Sequence, residues 1–188
     1  TRQSMRTGSE DPVYFYIRFD TETWGQAQLI KTSEDDIVEG IEFDIVGNGK
    51  TTRVTTGPNG TVDLNLMPGT YTVTEVPIDR YVTPASQTIV IESGQTTTFS
   101  FHNVLKKFRI EGTKVDAEGG SDPSGDGQLS GAQYGLYHNG ELIDTFTTDS
   151  NGTFVTGYYI CDSGWVLKEI TPSEGYLLDE TEYAIGAE

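Results

Sequence analysis

Apolar and polar residues alternate with period two along much of this chain. The clearest runs are Val13 to Phe19, Gln26 to Thr32, Gly69 to Val76, Thr96 to Val104, Phe108 to Val115 and Trp165 to Ile170. Such alternation sends successive side chains to opposite faces of a strand. A helix would instead repeat apolar residues at i, i+3, i+4 and i+7, and no convincing stretch does so. Asn-Gly pairs stand at 48–49, 59–60, 139–140 and 151–152. Both residues accept positive φ, so each pair predicts a hairpin turn. Short strands punctuated by such turns predict an all-β sandwich or barrel.

The pattern occurs twice. The first copy reads LIKTSED, GIEFDIVGNG, TTGPNGTVDLN and YTVTEVPIDRY, and the second reads GTKVDAE, GAQYGLYHNG, TTDSNGTFVTG and WVLKEITPSEGY. Order and chemistry match throughout, so the chain carries a duplicated domain and not a solenoid, which needs more repeats. The boundaries expected are 26–106 for the first copy and 107–188 for the second, with Gly119 to Gln128 inserted in the first loop of the second. Residues 1–25 stand before both. Thr1 to Glu10 are polar and patternless, as in a linker, a tag remnant or a flexible edge. Val13 to Phe19 reads as a strand of neither copy. It suits the tail of a preceding domain, an extra strand on the first domain, or a strand donated to another molecule.

Composition narrows the function. Twelve Lys and Arg against 29 Asp and Glu give a net charge of −17, which opposes nucleic acid, whose binders carry a positive footprint, and anionic membrane surfaces. No run approaches the roughly 18 apolar residues of a membrane-spanning helix, and the start shows no secretory h-region. The single cysteine, Cys161, permits no disulfide within the chain and reads as a buried structural thiol. Asn59-Gly60-Thr61 and Asn151-Gly152-Thr153 match the N-glycosylation pattern but are accounted for by turn chemistry. Asp122 and Asp126 lack the spacing of a calcium loop. His102 and His138 are far apart in the repeat. No cofactor motif, metal cluster or hydrolytic triad is readable, so no turnover chemistry is expected.

Parity singles out five residues. Lys31 shares a face with Ala27 and Leu29, Glu75 with Tyr71 and Val73, and Asn103 with Phe99 and Phe101. Each extends an apolar stripe. Strand ends opening to solvent would explain this, and so would a polar group in the core, where a charge must be paired or neutralised. The second copy repeats Lys114 and Glu169 with the same parity, beside Ile110 and Leu167. Burial lowers a lysine pKa and raises a glutamate pKa, so both tend to neutrality. A neutral amine is a nucleophile, and a neutral Glu can pass protons to a leaving ammonia. With an Asn beside them, the product is a Lys–Asn isopeptide bond formed once per chain.

These motifs resemble the Cna B-type, or SpaA-like (prealbumin-like), domains of Gram-positive surface adhesins and pilins. IKTSED, YTVTEVPIDRY and FHN carry the resemblance in the first copy, and TKVD with WVLKEITPSEGYLLD in the second; it covers the chain from about residue 26 onward. It implies two tandem inverse immunoglobulin-like sandwiches. Mapped onto this sequence, it makes Lys31 the nucleophile, Glu75 the catalytic acid and Asn103 the acceptor. Lys114 and Glu169 match in the second copy, but no Asn follows on a final strand. TEYAIGAE reads as a penultimate strand, so the last strand and its acceptor are expected beyond this fragment. The function implied is a stalk or spacer of a cell-surface adhesin or pilus-like protein, extracellular and wall-anchored, with the neighbouring domains of the same protein as partners. The alternative is an adhesive module for host extracellular matrix or glycan, which a cluster of solvent-facing Tyr and Trp would favour. A third reading is an accessory domain of a secreted enzyme.

Overall fold

A computed structural model describes residues 2–5, 13–16 and 23–186, in which the alternation resolves into eighteen strands with no helix. β1 (Arg2–Met5) and β2 (Val13–Tyr16) form an antiparallel pair, with Arg2 opposite Tyr16 and Met5 opposite Val13. Part of the segment read as patternless is therefore a strand. Backbone pairing needs no side-chain alternation, so a polar strand leaves no periodic signal. The two make a sheet of their own. Residues 17–19 of the predicted strand lie outside the described residues.

The first domain is built from β3 (Gly25–Ser33), β4 (Glu42–Gly47), β5 (Lys50–Thr55), β6 (Thr61–Leu66), β7 (Gly69–Glu75), β8 (Tyr81–Val82), β9 (Gln87–Ile91) and β10 (Thr96–Leu105). They form two four-stranded sheets, ordered β6-β3-β10-β8 and β5-β4-β7-β9. β3, β4 and β7 alternate between buried and more exposed residues. Their inward faces supply Ala27, Leu29, Phe43, Ile45, Tyr71 and Val73, joined by Ile89, Ile91 and Phe101.

The second domain is built from β11 (Lys107–Phe108), β12 (Glu111–Thr113), β13 (Gln133–His138), β14 (Glu141–Thr147), β15 (Thr153–Val155), β16 (Tyr159–Ile160), β17 (Trp165–Thr171) and β18 (Glu182–Ala184). One sheet runs β14-β13-β17-β18, matching β5-β4-β7-β9, and β12-β15 matches β3-β6. The predicted strand from Phe108 to Val115 divides because it changes partner: β11 pairs with β16 and β12 with β15. At the changeover Ile110 and Thr156 exchange hydrogen bonds. Among the described residues no strand lies along β12 as β10 lies along β3. The core is Ala132, Tyr134, Leu136, Phe154, Trp165 and Leu167, with half-buried Cys161 packed against it. By contacts the chain divides into two compact units, Thr1–Val76 with Pro84–His102 and Pro77–Thr83 with Asn103–Glu188, and the division falls inside the continuous strand β10.

The four Asn-Gly pairs split into two kinds. Asn48-Gly49 (φ 49 and 70) and Asn139-Gly140 (φ 50 and 85) have both residues in the left-handed region and join the hairpins β4–β5 and β13–β14. At 59–60 and 151–152 only the glycine does so, with φ of 69 and 74. These turns are not hairpins, because β5 and β6, like β14 and β15, belong to different sheets. They close through Gly60 N–H to the Gly57 carbonyl (2.8 Å) and Gly152 N–H to the Asp149 carbonyl (2.9 Å).

A buried threonine precedes each of these turns. Thr56 Oγ1 accepts the Ile41 N–H (2.9 Å) and donates to the Val38 carbonyl (2.6 Å). Thr148 Oγ1 likewise accepts the Ala132 N–H (3.0 Å) and donates to the Leu129 carbonyl (2.7 Å). Each hydroxyl satisfies two backbone groups where the chain passes between sheets, which accounts for its burial.

Candidate functional site

Lys31 is positioned by the turn beneath it. Its N–H donates to the Gly60 carbonyl at 2.7 Å, and a Cβ on Gly60 would lie 2.7 Å from the Lys31 carbonyl oxygen. Only glycine fits that approach at φ 69. Gly152 stands in the same relation to Lys114, with an N–H···O distance of 2.8 Å and a Cβ that would lie 3.0 Å from the Lys114 carbonyl.

The predicted residues of the first domain are all buried, with relative exposures of 2% for Lys31, 1% for Glu75 and 0% for Asn103. Lys31 Nζ lies 3.4 Å from Glu75 Oε2, an ion-pair distance without hydrogen-bond geometry, and donates instead to the Thr32 carbonyl at 2.9 Å. Burial lowers the Lys31 pKa below the ordinary lysine value, against the opposing pull of the Glu75 carboxylate. Glu75 lies opposite Phe43 in the β4–β7 ladder, and the Phe43 ring packs on Phe101 at 5.0 Å. Asn103 follows Phe101 by two residues on the same face of β10, the neighbour of β3. Thr32 and His102, each adjacent to a site residue, meet across β3 and β10 at 2.9 Å. Neither amide atom of Asn103 has a hydrogen-bond partner. Such a group in a core costs about 1–3 kcal/mol per unsatisfied atom.

The second domain brings Lys114 and Glu169 together differently. Lys114 Nζ donates to Glu169 Oε1 at 2.8 Å, and Glu169 Oε2 accepts the Asp179 N–H at 2.8 Å. Both carboxylate oxygens are satisfied, whereas Glu75 Oε2 is not. The Lys114 ammonium also lies 5.3 Å from the Tyr176 ring centroid. Tyr134, opposite Glu169 in the ladder, has its phenol pushed up to about 12 by burial and by the Glu169 charge. Asp179 and Tyr134 carry no sequence signal for these roles, because their contacts run between segments distant in the chain.

Asp116 closes the TKVD stretch of the second copy. Its carboxylate gathers the inserted loop, accepting the Glu118 and Gly119 N–H groups (both 2.7 Å), the Ser124 hydroxyl (3.1 Å) and the Tyr176 hydroxyl (2.7 Å). The Gly119 N–H, followed by the Tyr176 hydroxyl, holds this carboxyl well below the usual range.

The SpaA family, described as a prealbumin-like fold domain, matches at residues 25–104 and again at 109–188. The chain belongs to that family, as two tandem prealbumin-like domains. Among solved structures it is similar to the Bacillus anthracis TIE protein, at 24% identity and a TM-score of 0.72 over 88% of this chain and 31% of that one. At that identity the likeness is one of fold, and the chain spans about a third of that protein's length. It is also similar to a Streptococcal ancillary pilin (18% identical, TM-score 0.40, 94% and 66% covered) and to the shaft pilin SpaA of Lactobacillus rhamnosus GG (15% identical, TM-score 0.41, 88% and 95% covered). No curated protein sequence matches the chain.

Proposed function

We propose that this chain is a load-bearing spacer from an extracellular surface protein of the adhesin or pilus type, and that its first domain forms an isopeptide bond between Lys31 and Asn103. The observation that carries the reading is the buried Lys31–Glu75 pair together with a buried Asn103 amide, on the strand next to β3 in the sheet order, that has no partner of its own. In the reaction the neutral Lys31 amine attacks Asn103 Cγ. Glu75, carrying the proton that the Lys31 ammonium gives up, donates to the developing oxyanion and relays the lysine's remaining proton to the amide nitrogen, which leaves as ammonia. One C–N bond forms and one breaks, with no oxidant and no cofactor. Burial and fixed proximity supply the acceleration. Lys114 and Glu169 hold the corresponding nucleophile and acid positions of the second domain, and their acceptor would come from a strand beside β12.

The spacer role follows from where the bond lies. β3 and β10 are the first and last long strands of the sandwich, so a bond between them would carry tension that otherwise peels strands apart. Membership of the SpaA family supports a stalk domain. No helix among the described residues is long and apolar enough to cross a membrane. The test is the intact mass of the purified chain and of Glu75→Ala. A deficit of one ammonia in the parent, absent from the variant, is expected. The full sequence mass in both would remove the cross-link.

A further inference from the structure

A cavity of about 400 Å³ opens on the second domain, lined by His138, Tyr158, Tyr159, Ile160, Asp162 and Trp165. None of these belongs to the Lys114–Glu169 site. The floor is aromatic and fixed. The Trp165 indole N–H donates to the Ile160 carbonyl at 3.2 Å, and the ring is stacked by His138, with centroids 4.3 Å apart and planes 23° apart. Tyr159 packs on the same indole at 5.4 Å. Tyr158 forms the open wall, 67% exposed.

Aromatic walls alone would accept an apolar group, a sugar or a cation, and the charges at the rim decide among them. Asp162 Oδ1 accepts the Ser163 N–H at 2.8 Å, while Oδ2 faces His138 Nε2 at 3.4 Å in a side chain 60% exposed. Asp144 Oδ2 stands behind Tyr159, accepting its hydroxyl at 2.8 Å. The Arg109 guanidinium, paired with Glu111, lies 5.9 Å from the Tyr158 ring centroid, so a cation is already accommodated against this wall. The chain as a whole carries −17, which raises the local concentration of any basic partner. Apolar ring faces beneath a carboxylate match a side chain with an aliphatic stem and a cationic head.

We propose that this cavity binds a basic side chain, lysine or arginine, presented by a protein partner. The stem would lie along Tyr158 and Ile160, and the head would pair with Asp162 Oδ2, leaving His138 Nε2 with the Ser163 carbonyl at 3.0 Å. The inference stands apart from the isopeptide reading, since it uses none of the same residues.

The test titrates the whole chain with end-blocked Gly-Gly-Arg-Gly-Gly and Gly-Gly-Lys-Gly-Gly, following amide and indole resonances by NMR. Controls are the citrulline peptide, which keeps the arginine shape without its charge, and lactose as a neutral sugar. Trp24, 56% exposed in the other domain, is an internal control for scattered binding. Expected are saturable shifts at the Trp165 indole and residues 158–162 with both cationic peptides only, weakened about tenfold by Asp162→Asn or Tyr158→Ala. Both substitutions are at exposed positions, and the spectrum reports whether the fold is kept. Equal shifts with citrulline, saturation by lactose instead, or shifts shared with Trp24 would each overturn the proposal.

Discussion

At the scale of the residue, one lysine differs from its repeat. Lys31 faces a carboxylate without hydrogen-bonding it and has its pKa lowered by burial, while Lys114 makes a 2.8 Å hydrogen bond to Glu169. Bond formation needs a neutral Lys31 amine and a proton on Glu75 at once, so after refolding its rate should pass through a maximum with pH. The rate of ammonia loss, followed by intact mass at a series of pH values, is expected to peak below the ordinary lysine value of about 10.4. A rate still rising at that value would mean the amine reacts from water. Thr56 carries a second prediction. Thr56→Val removes the acceptor of the buried Ile41 N–H and the donor to Val38, so a loss of about 1–3 kcal/mol in denaturant unfolding is expected. Thr148→Val should cost a similar amount in the second domain, where the same bonds recur.

At the scale of the element, the loop after β12 depends on one carboxylate. Asp116 ties residues 118–124 and Tyr176 together, and these contacts hold its pKa down. Its folded pKa lies below the unfolded value of about 3.9, so the unfolded chain binds the proton first as pH falls. The stabilisation is therefore complete above about pH 4 and is lost progressively below it. Thermal unfolding of the second domain should show a falling melting temperature from about pH 4 to about pH 2. Asp149 and Asp179 are held down as well and share in that drop. Asp116→Asn isolates its own part: it should lower the melting temperature at neutral pH and flatten the acid slope. A variant with the parent's slope would show that the loop contributes nothing to acid stability.

At the scale of the whole molecule, the cross-link would close residues 31 to 103, 72 apart in sequence. A covalent closure of that length is worth about 4 kcal/mol in the chain-entropy treatment developed for disulfides, whose mechanism is model-dependent. Lys31→Ala should lower the unfolding free energy of the first domain by at least about that amount, and reductant should not reproduce the loss, because an amide is inert to it. Single-molecule stretching from the two ends of the first domain should give the parent no extension between residues 31 and 103, and the variant the full release. Equal extension in both would end the load-bearing reading.

Much of this was legible in the residues themselves. Period-two alternation and the repeat located the main strands and the tandem arrangement, because a half-buried sheet demands that pattern of its side chains. The parity of Lys31, Glu75, Asn103, Lys114 and Glu169 set each on an apolar stripe, but parity does not distinguish a strand end from a core. The packing of both sheets made them buried. The sequence predicts a hairpin at every Asn-Gly pair, and two of the four do something else. At 48–49 it closes a hairpin and at 59–60 it carries the chain between sheets, a difference set by which strands the turn joins. β1 and the break at Ile110 leave no trace in the local pattern, because both depend on the pairing partner. The orphaned Asn103 amide, the satisfied Glu169, the hold of Asp116 on Tyr176 and the aromatic cavity around Trp165 join segments tens of residues apart. Composition and spacing could name the chemistry available to this protein, and only the tertiary structure decided which groups face one another, because contact across two sheets is not written in the neighbours of any one residue.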